Sequence, residues 1–369
     1  MRALGASLLV ATLLLGVSAP AATSADRRLR SVNGEVLSAP AVAPWNAQLD
    51  AGDGICSATI IDLSHVLTAG ACVFTGSRPN PPSALTITAG VVRAGPGNDA
   101  DTVQTRGVSA VAVHPGFGQR RYKLAGVGAE GNFSFAYDLA RLTLSAPLQR
   151  TAQVAPVALA DVPAPPRSIV RIVGFGDPAF GANELPAIAR SMTSRITARP
   201  TLCADGDPSL LCMVSRRQSP CASDSGAGVV TTGATPVLVG IHSFHDNKCV
   251  VNRPSGATST TEPGIARWLR GDTHPTLAPS TPTRPVIRFY GARRRQLACR
   301  GPRWSAATRI RTLFVQDDTQ RTLQTGPRVY RPTGATRSRY VYCVSIATNA
   351  GGTTEASSSK ALRVGTRQR

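Results

Sequence analysis

The sequence predicts an all-β protein divided into two units, and three observations carry that prediction. Short apolar runs such as Ser57–Ile61 (SATII), His65–Ala69 (HVLTA), Ser168–Gly176 (SIVRIVGFG) and Pro236–Phe244 (PVLVGIHSF) are separated by Gly, Pro, Asn and Asp, the pattern of many short strands joined by turns. A stretch from Gly271 to Pro285 reads GDTHPTLAPSTPTRP, and its repeated Pro and Thr disfavour helix and leave an extended spacer. The chain has 369 residues, enough for about two domains at ~150 residues each. Only Thr261–Arg270 (TEPGIARWLR) reads as helix, and no internal repeat is present.

The first residues, Met1-Arg2, an apolar run from Leu4 to Val17 and small residues through Ala25, have the layout of a secretory signal. That run is shorter than the about 20 residues a membrane span needs, and no later segment is long and apolar enough. The expectation is a signal peptide over 1–25, a short propeptide over 26–30 and a secreted, extracellular product of bacterial type with no membrane span.

Export permits a disulfide reading of the eight cysteines, because oxidised thiols persist outside the cytosol. Eight cysteines allow 105 connectivities, so order alone does not select one. Neither Cys-x-x-Cys nor neighbouring His ligands occur, which argues against a zinc site; no metal and no cofactor is expected.

The formal charge is +20, and it is concentrated at one end. From Arg284 onward 17 Arg and Lys360 stand against Asp317, Asp318 and Glu355, a balance of +15. A basic surface for an anionic polymer, such as cell-surface phosphate or nucleic acid, is one reading of that excess. Arg in place of Lys, of which there are only Lys123, Lys248 and Lys360, has a compositional reading instead.

Three segments carry chemistry. They are Cys56-Ser-Ala-Thr-Ile-Ile-Asp-Leu-Ser-His65-Val-Leu-Thr-Ala-Gly-Ala71-Cys72, then Tyr137-Asp138-Leu-Ala-Arg-Leu-Thr-Leu144, then Cys221-Ala-Ser223-Asp224-Ser225-Gly226-Ala-Gly-Val-Val230. Together they resemble the blocks around the base, acid and nucleophile of the trypsin/chymotrypsin serine proteases, in that family's chain order. Pro44–Leu49 resembles its first core strand, Val173–Gly176 its Gly-aromatic-Gly turn, and His114-Pro115 its non-catalytic His-Pro. The resemblance spans about residues 31 to 270. It implies a chymotrypsin-like double β-barrel over 31–271, followed by a linker over 272–285. Residues 286–369, with Cys299, Trp304 and Tyr342-Cys343, resemble a small immunoglobulin-like β-sandwich, in which a bridge between facing sheets packs on a buried Trp. The implied disulfides are Cys56–Cys72, Cys203–Cys212, Cys221–Cys249 and Cys299–Cys343.

By the same resemblance Ser225 is the nucleophile and Asp138 the acid. The residue before Cys72 should be the general-base histidine, and it is Ala71, whose methyl group cannot take a proton. Loss of that base costs about 10⁶ in kcat in a serine protease of another fold. His65 precedes Ala71 by six residues, too far along a strand at ~3.3 Å per residue to substitute. His242 and His245 flank Ser243-Phe244, the strand expected beside the substrate, where peptide contact is the expected role. His274 falls in the linker.

The other implied site residues depart from the family pattern as well. Ser223 stands where a glycine amide would pair with that of Ser225 in the oxyanion hole, and its β-carbon restricts the backbone. Cleavage between Arg30 and Ser31 would free an amine to pair with Asp224, though Ser31 lacks the usual apolar side chain. Ser219 occupies the floor of the specificity pocket, where the lack of a carboxylate implies an apolar or aromatic guest. Ser243, Phe244 and His245 complete the expected peptide contacts.

These features predict a monomeric, secreted protease homologue that binds polypeptide in its cleft with little or no hydrolysis. Two alternatives stand beside it: an active serine endopeptidase with an unusual or substrate-supplied base, and a surface-binding protein acting through its basic C-terminal unit.

Overall fold

The computed structural model describes residues 33–364 except 53, 94–101, 119–120, 124–132, 184, 186, 198–202, 204–206, 208, 247, 273–278, 280, 282, 292–295, 320, 334–335, 337 and 350–351. Among these residues β structure dominates, as the turn-punctuated apolar runs require.

Strands β1 (Asn46–Asp50), β2 (Ile55–Ile60), β3 (His65–Thr68), β4 (Thr86–Ala89), β5 (Gln104–Val113) and β6 (Ala140–Leu144) form a closed antiparallel barrel. Its order is β6-β3-β2-β1-β4-β5, shut by β6 against β5. In β6 the alternate residues Ala140, Leu142 and Leu144 turn inward, the period-two pattern of a half-buried strand. They pack with Leu49, Ile60, Val66 and Ile87.

A second ring follows: β7 (Ile169–Gly174), β8 (Arg190–Ile196), β9 (Leu210–Val214), β10 (Gly228–Thr231), β11 (Val237–Phe244) and β12 (Pro254–Ser259). These run β8-β7-β10-β11-β12-β9, and Arg195 and Ile196 of β8 close the ring on Val214 and Met213. Val170, Ile172, Met192, Met213, Val229 and Val239 fill it. A third apolar cluster draws on both rings, joining Trp45, Leu67, Tyr137, Val173, Phe175 and Ile241.

Helix α1 runs Pro263–Leu269, shorter at each end than the sequence pattern suggests. Glu262 stays outside because its carboxylate caps the Ile265 N–H at 2.8 Å, and Pro263 suits the first helical position because it has no N–H to leave unsatisfied. Ile265 and Trp268 then dock into the inter-ring cluster.

The C-terminal unit holds β13 (Val286–Tyr290), β14 (Gln296–Arg300), β15 (Arg309–Gln316), β16 (Thr322–Thr325), β17 (Val329–Tyr330), β18 (Tyr340–Asn349), β19 (Gly352–Ser357) and β20 (Leu362–Arg363). One sheet runs β13-β14-β17; the other runs β16-β15-β18-β19, with β20 also on β18. Cys299 of β14 bonds to Cys343 of β18 and ties the two sheets together, an arrangement consistent with a β-sandwich. Leu297, Phe314, Tyr330 and Val341 surround the bridge. Trp304, expected to be buried there, is only half-buried and donates its indole N–H to Ser345 Oγ at 3.0 Å.

The other implied bridges also form: Cys56–Cys72, Cys203–Cys212 and Cys221–Cys249. Each closes a loop and so restricts the unfolded chain by roughly 2–4 kcal/mol. No helix of the described residues is long and apolar enough to cross a membrane.

Candidate active site

The strands bring Ala71, Asp138, Ser225 and Ser243 into one chain of hydrogen bonds. Asp138, fully buried just before β6, accepts the Ala71 N–H on Oδ1 at 2.7 Å. Its Oδ2 accepts the Ser243 hydroxyl at 2.5 Å. The Ser243 carbonyl in turn accepts the Ser225 hydroxyl at 3.2 Å, and Cys72 Sγ lies 3.6 Å from the Ser225 carbonyl oxygen. Burial pushes the Asp138 carboxyl up to about 6, against the downward pull of the Ser243 hydroxyl and the Ala71 and Gly70 amides. No cation is among those influences.

Ala71 lies on a single 3-10 turn, Gly70–Val73, braced by the Cys56–Cys72 bridge. Its backbone is held on Asp138 while its methyl group is exposed. The turn is therefore organised around the acid although the residue carries no base.

The described histidines are placed elsewhere. His65 opens β3 and pairs with Asp62 at 3.0 Å on the surface. His114 is buried, stacks on Tyr137 at 4.8 Å and accepts the Gly116 N–H on Nδ1; burial lowers it to about 4. His242 and His245 stack with ring centroids 6.0 Å apart, held down to about 3 and about 4 chiefly by burial. His274 lies outside the described residues.

Ser223 sits third in the turn Cys221–Asp224, closed by an Asp224 N–H to Cys221 carbonyl bond of 3.2 Å. Its φ of +71° is in the left-handed region that favours glycine, at a strain of about 1–2 kcal/mol. Two bonds hold it there. The Asp177 N–H donates to the Ala222 carbonyl at 2.8 Å, and the Ser57 hydroxyl donates to the Ser223 carbonyl at 2.9 Å while accepting the Phe175 N–H at 2.9 Å. A trans peptide directs its N–H opposite to its carbonyl, so the Ser223 N–H points away from Asp177. The β-carbon thus does not prevent the glycine-like backbone, because neighbouring segments impose it.

Asp224 is buried beside Ser225 and accepts the Gly176 N–H on Oδ1 and the Cys221 N–H on Oδ2, each at 2.9 Å. Burial raises it to about 7, opposed by those amides and by the charge of buried Arg190. A β-carbon on Gly176 would stand 2.1 Å from Asp224 Oδ2, so only glycine admits the carboxylate. Arg30 and Ser31, the implied activation point, lie outside the described residues.

Ser219 is buried, with its hydroxyl on the Pro220 carbonyl at 3.1 Å. The ligand atoms of Cys221, His245 and Cys249 lie within 4.8 Å of one another. Both sulfurs belong to a disulfide, so that cluster offers a metal one imidazole only.

Several contributors were not singled out from sequence. Thr258 Oγ1 donates to the Asp138 carbonyl at 2.8 Å, Ser57 pins the Ser223 turn, and Arg190 reaches the Asp224 corner from β8. Their partners are 120, 166 and 34 positions away, and only the Cys56-Ser57 position inside the first block gave any local hint.

Two antiparallel rings with an aspartate, a serine and a disulfide-braced turn at their junction define the two-barrel serine-protease class. A family model described as Trypsin matches residues 32–269, and the chain belongs to that family. Serine protease SP24D of Anopheles gambiae is 27% identical over 244 residues, 65% of this chain and 80% of that protein. Coagulation factor XII of Rattus norvegicus is 32% identical over 162 residues, 42% of this chain and 24% of that protein.

Proposed function

We propose that this protein is an exported trypsin-family pseudoprotease that binds polypeptide in the old catalytic cleft without hydrolysing it at a useful rate. The observation that carries the reading is Ala71. Its N–H serves Asp138, its side chain is a methyl group, and the Ser225 hydroxyl donates to a backbone carbonyl instead of an imidazole. A serine hydroxyl needs a base to become a nucleophile at neutral pH. His242 and His245 are held far below neutral, which makes them poor bases. Retention of Asp138, Ser225 and the Ser223 turn supports a preserved peptide-binding cleft. The role of Ser243, Phe244 and His245 is to contact the bound chain.

A fluorophosphonate probe and a fluorogenic peptide panel test this on the mature protein beside the Ala71→His variant. The expected outcome is no labelling and no turnover in the natural form, with both appearing in the variant. Labelling with turnover in the natural form would overturn the reading in favour of an active endopeptidase with another base.

A second reading, a surface-binding role for the C-terminal unit, is favoured by the exposure of Arg300, Arg303, Arg309, Arg311, Arg321 and Arg328. Its test is retention on a heparin-type matrix. Elution that did not move with salt would sink it.

A further inference from the structure

A groove of about 980 Å³ opens on the outer wall of the second ring and shares no residue with the bonds through Asp138, Ser225 and Ser243. Four exposed arginines line it: Arg195 on the outer face of β8, Arg167 on the turn before β7, and Arg216 and Arg217 on the turn after β9. None of the four has an acidic partner among the described residues. The one acid of the lining, Asp318 of the C-terminal unit, already accepts the Gln316 amide at 2.7 Å and the Arg339 guanidinium at 3.0 Å. Four like charges around one groove repel each other until an anion lies among them. We infer that this groove is a binding site for a glycan carrying phosphate or sulfate esters, whose oxygens the four guanidiniums hold. It shares no arginine with the C-terminal surface proposed above.

Both walls are held in place. Arg167 has a φ of +73°, a left-handed conformation unfavourable for a residue with a β-carbon. Its N–H donates to the Ile196 carbonyl and the Ile196 N–H donates to the Ser168 carbonyl, each at 2.9 Å, which locks the turn onto the end of β8. The Arg167 carbonyl then accepts Arg195 Nη1 at 2.7 Å, so the strained turn fixes the guanidinium of the neighbouring strand. Across the groove, Gln218 Oε1 accepts the Thr193 N–H at 2.7 Å and the Thr193 hydroxyl at 3.1 Å. The Ser215 carbonyl accepts the N–H of Asn252 at 2.7 Å, and Asn252 is left-handed too, at +61°. The turn bearing Arg216 and Arg217 is thereby pinned at both ends. Backbone strain of this kind gathers at ligand sites.

Chemistry selects among ligands. A guanidinium presents a planar fork of N–H donors that matches the oxygens of phosphate or sulfate. The Ser215 hydroxyl and the Asn252 amide, also in the lining, suit the hydroxyls of a sugar. An acidic peptide pairs with guanidiniums but brings no hydroxyls to these groups. No aromatic side chain is among the described lining residues, so the groove lacks the platform on which the bases of a single-stranded nucleic acid stack. The volume lies at the upper end of the range for small-ligand sites, about 300–1,000 Å³, which suits a segment of an oligosaccharide better than one free ion.

The test uses the full disulfide-bonded protein and labelled hexasaccharides that carry phosphate esters, sulfate esters or neither. Hexaglutamate and a thymidine hexanucleotide stand beside them, and binding is read by anisotropy at several salt concentrations. One or both esters should bind and the neutral sugar should not; the tighter of the two names the ester. Arg195→Gln and Arg217→Gln should each weaken ester binding about tenfold and lower the salt slope by about one. Arg300→Gln with Arg303→Gln should leave it unchanged. Arg217 is exposed on its turn, so Arg217→Gln keeps the test available if Arg195→Gln does not fold. Tighter binding of hexaglutamate or the oligonucleotide, equal binding of the neutral sugar, or no binding of either ester overturns the proposal. Ester binding that survives the groove variants, or that is lost with the C-terminal pair, overturns it as well. None of these results touches the reading of Ala71 and the catalytic cleft.

Discussion

Two buried aspartates, Asp138 and Asp224, are held by different chemistry. Asp138 receives the Ser243 hydroxyl on one oxygen and the Ala71 amide on the other, with the Gly70 amide also acting on it, whereas Asp224 receives backbone amides only, one on each oxygen, with the Arg190 charge nearby. The first carboxylate has no imidazole among the groups that act on it. The second is closed in by Gly174 and Gly176, whose added β-carbons would stand 2.4 and 2.1 Å from its oxygens. A hydroxyl can reverse its donor role, so the Asp138 corner is adjustable, while the neighbouring anchor, closed in by Gly176, is rigidly specified.

The largest expected effect is at the anchor. Gly176→Ala sets a methyl group against Asp224 Oδ2 and should lower stability in chemical denaturation by about 3 kcal/mol or more, because a buried carboxylate on two amides cannot retreat. An unchanged midpoint would show that the corner is softer than its geometry.

Next come the paired amides. Asp224→Asn must turn an NH₂ toward a backbone N–H, a donor against a donor, at about 1–3 kcal/mol. Asp138→Asn meets a hydroxyl that can reverse its role, and it removes a buried charge. Because the folded carboxyl of Asp138 lies near 6, up from 3.8, the native state holds that proton more tightly than the unfolded chain. Ionising it therefore lowers stability as pH climbs through that window, and the full loss is present above it. Asp138→Asn should gain up to about 3 kcal/mol near pH 8 and almost nothing near pH 4, read as the difference in melting curves from the natural form. A uniform loss at both pH values would mean that the acid still stabilises its corner.

Ser223→Gly should add about 0.5–1 kcal/mol, the relief of left-handed strain less the extra entropy of glycine in the unfolded chain. A loss in thermal melts would show that the serine side chain makes a favourable contact of its own. Ala71→His, at an exposed position, should change stability by no more than about 0.5 kcal/mol, so any gained activity reports chemistry and not folding.

Much of the fold was legible because turn residues and period-two apolar runs mark strands locally, and because the blocks around Ala71, Asp138 and Ser225 are contiguous. The four bridges followed from the family resemblance. The half-buried setting of Trp304 was not legible, since the partner of its indole N–H, Ser345, lies 41 positions away. The support of Ser223 by Ser57 was not legible either: the β-carbon argued against a glycine-like turn, and the hydroxyl that holds it comes from the other ring.

The amino-acid order by itself determined that these strands would form and that a methyl side chain stands before Cys72, because each depends on residue type and short spacing, whereas the choice of bridges needed the family resemblance as well. Tertiary structure alone decided that the two aspartates would be buried on different donors and that the His242 and His245 rings would stack. Burial and hydrogen bonding are properties of what surrounds a group, and those surroundings come from segments far apart in the chain.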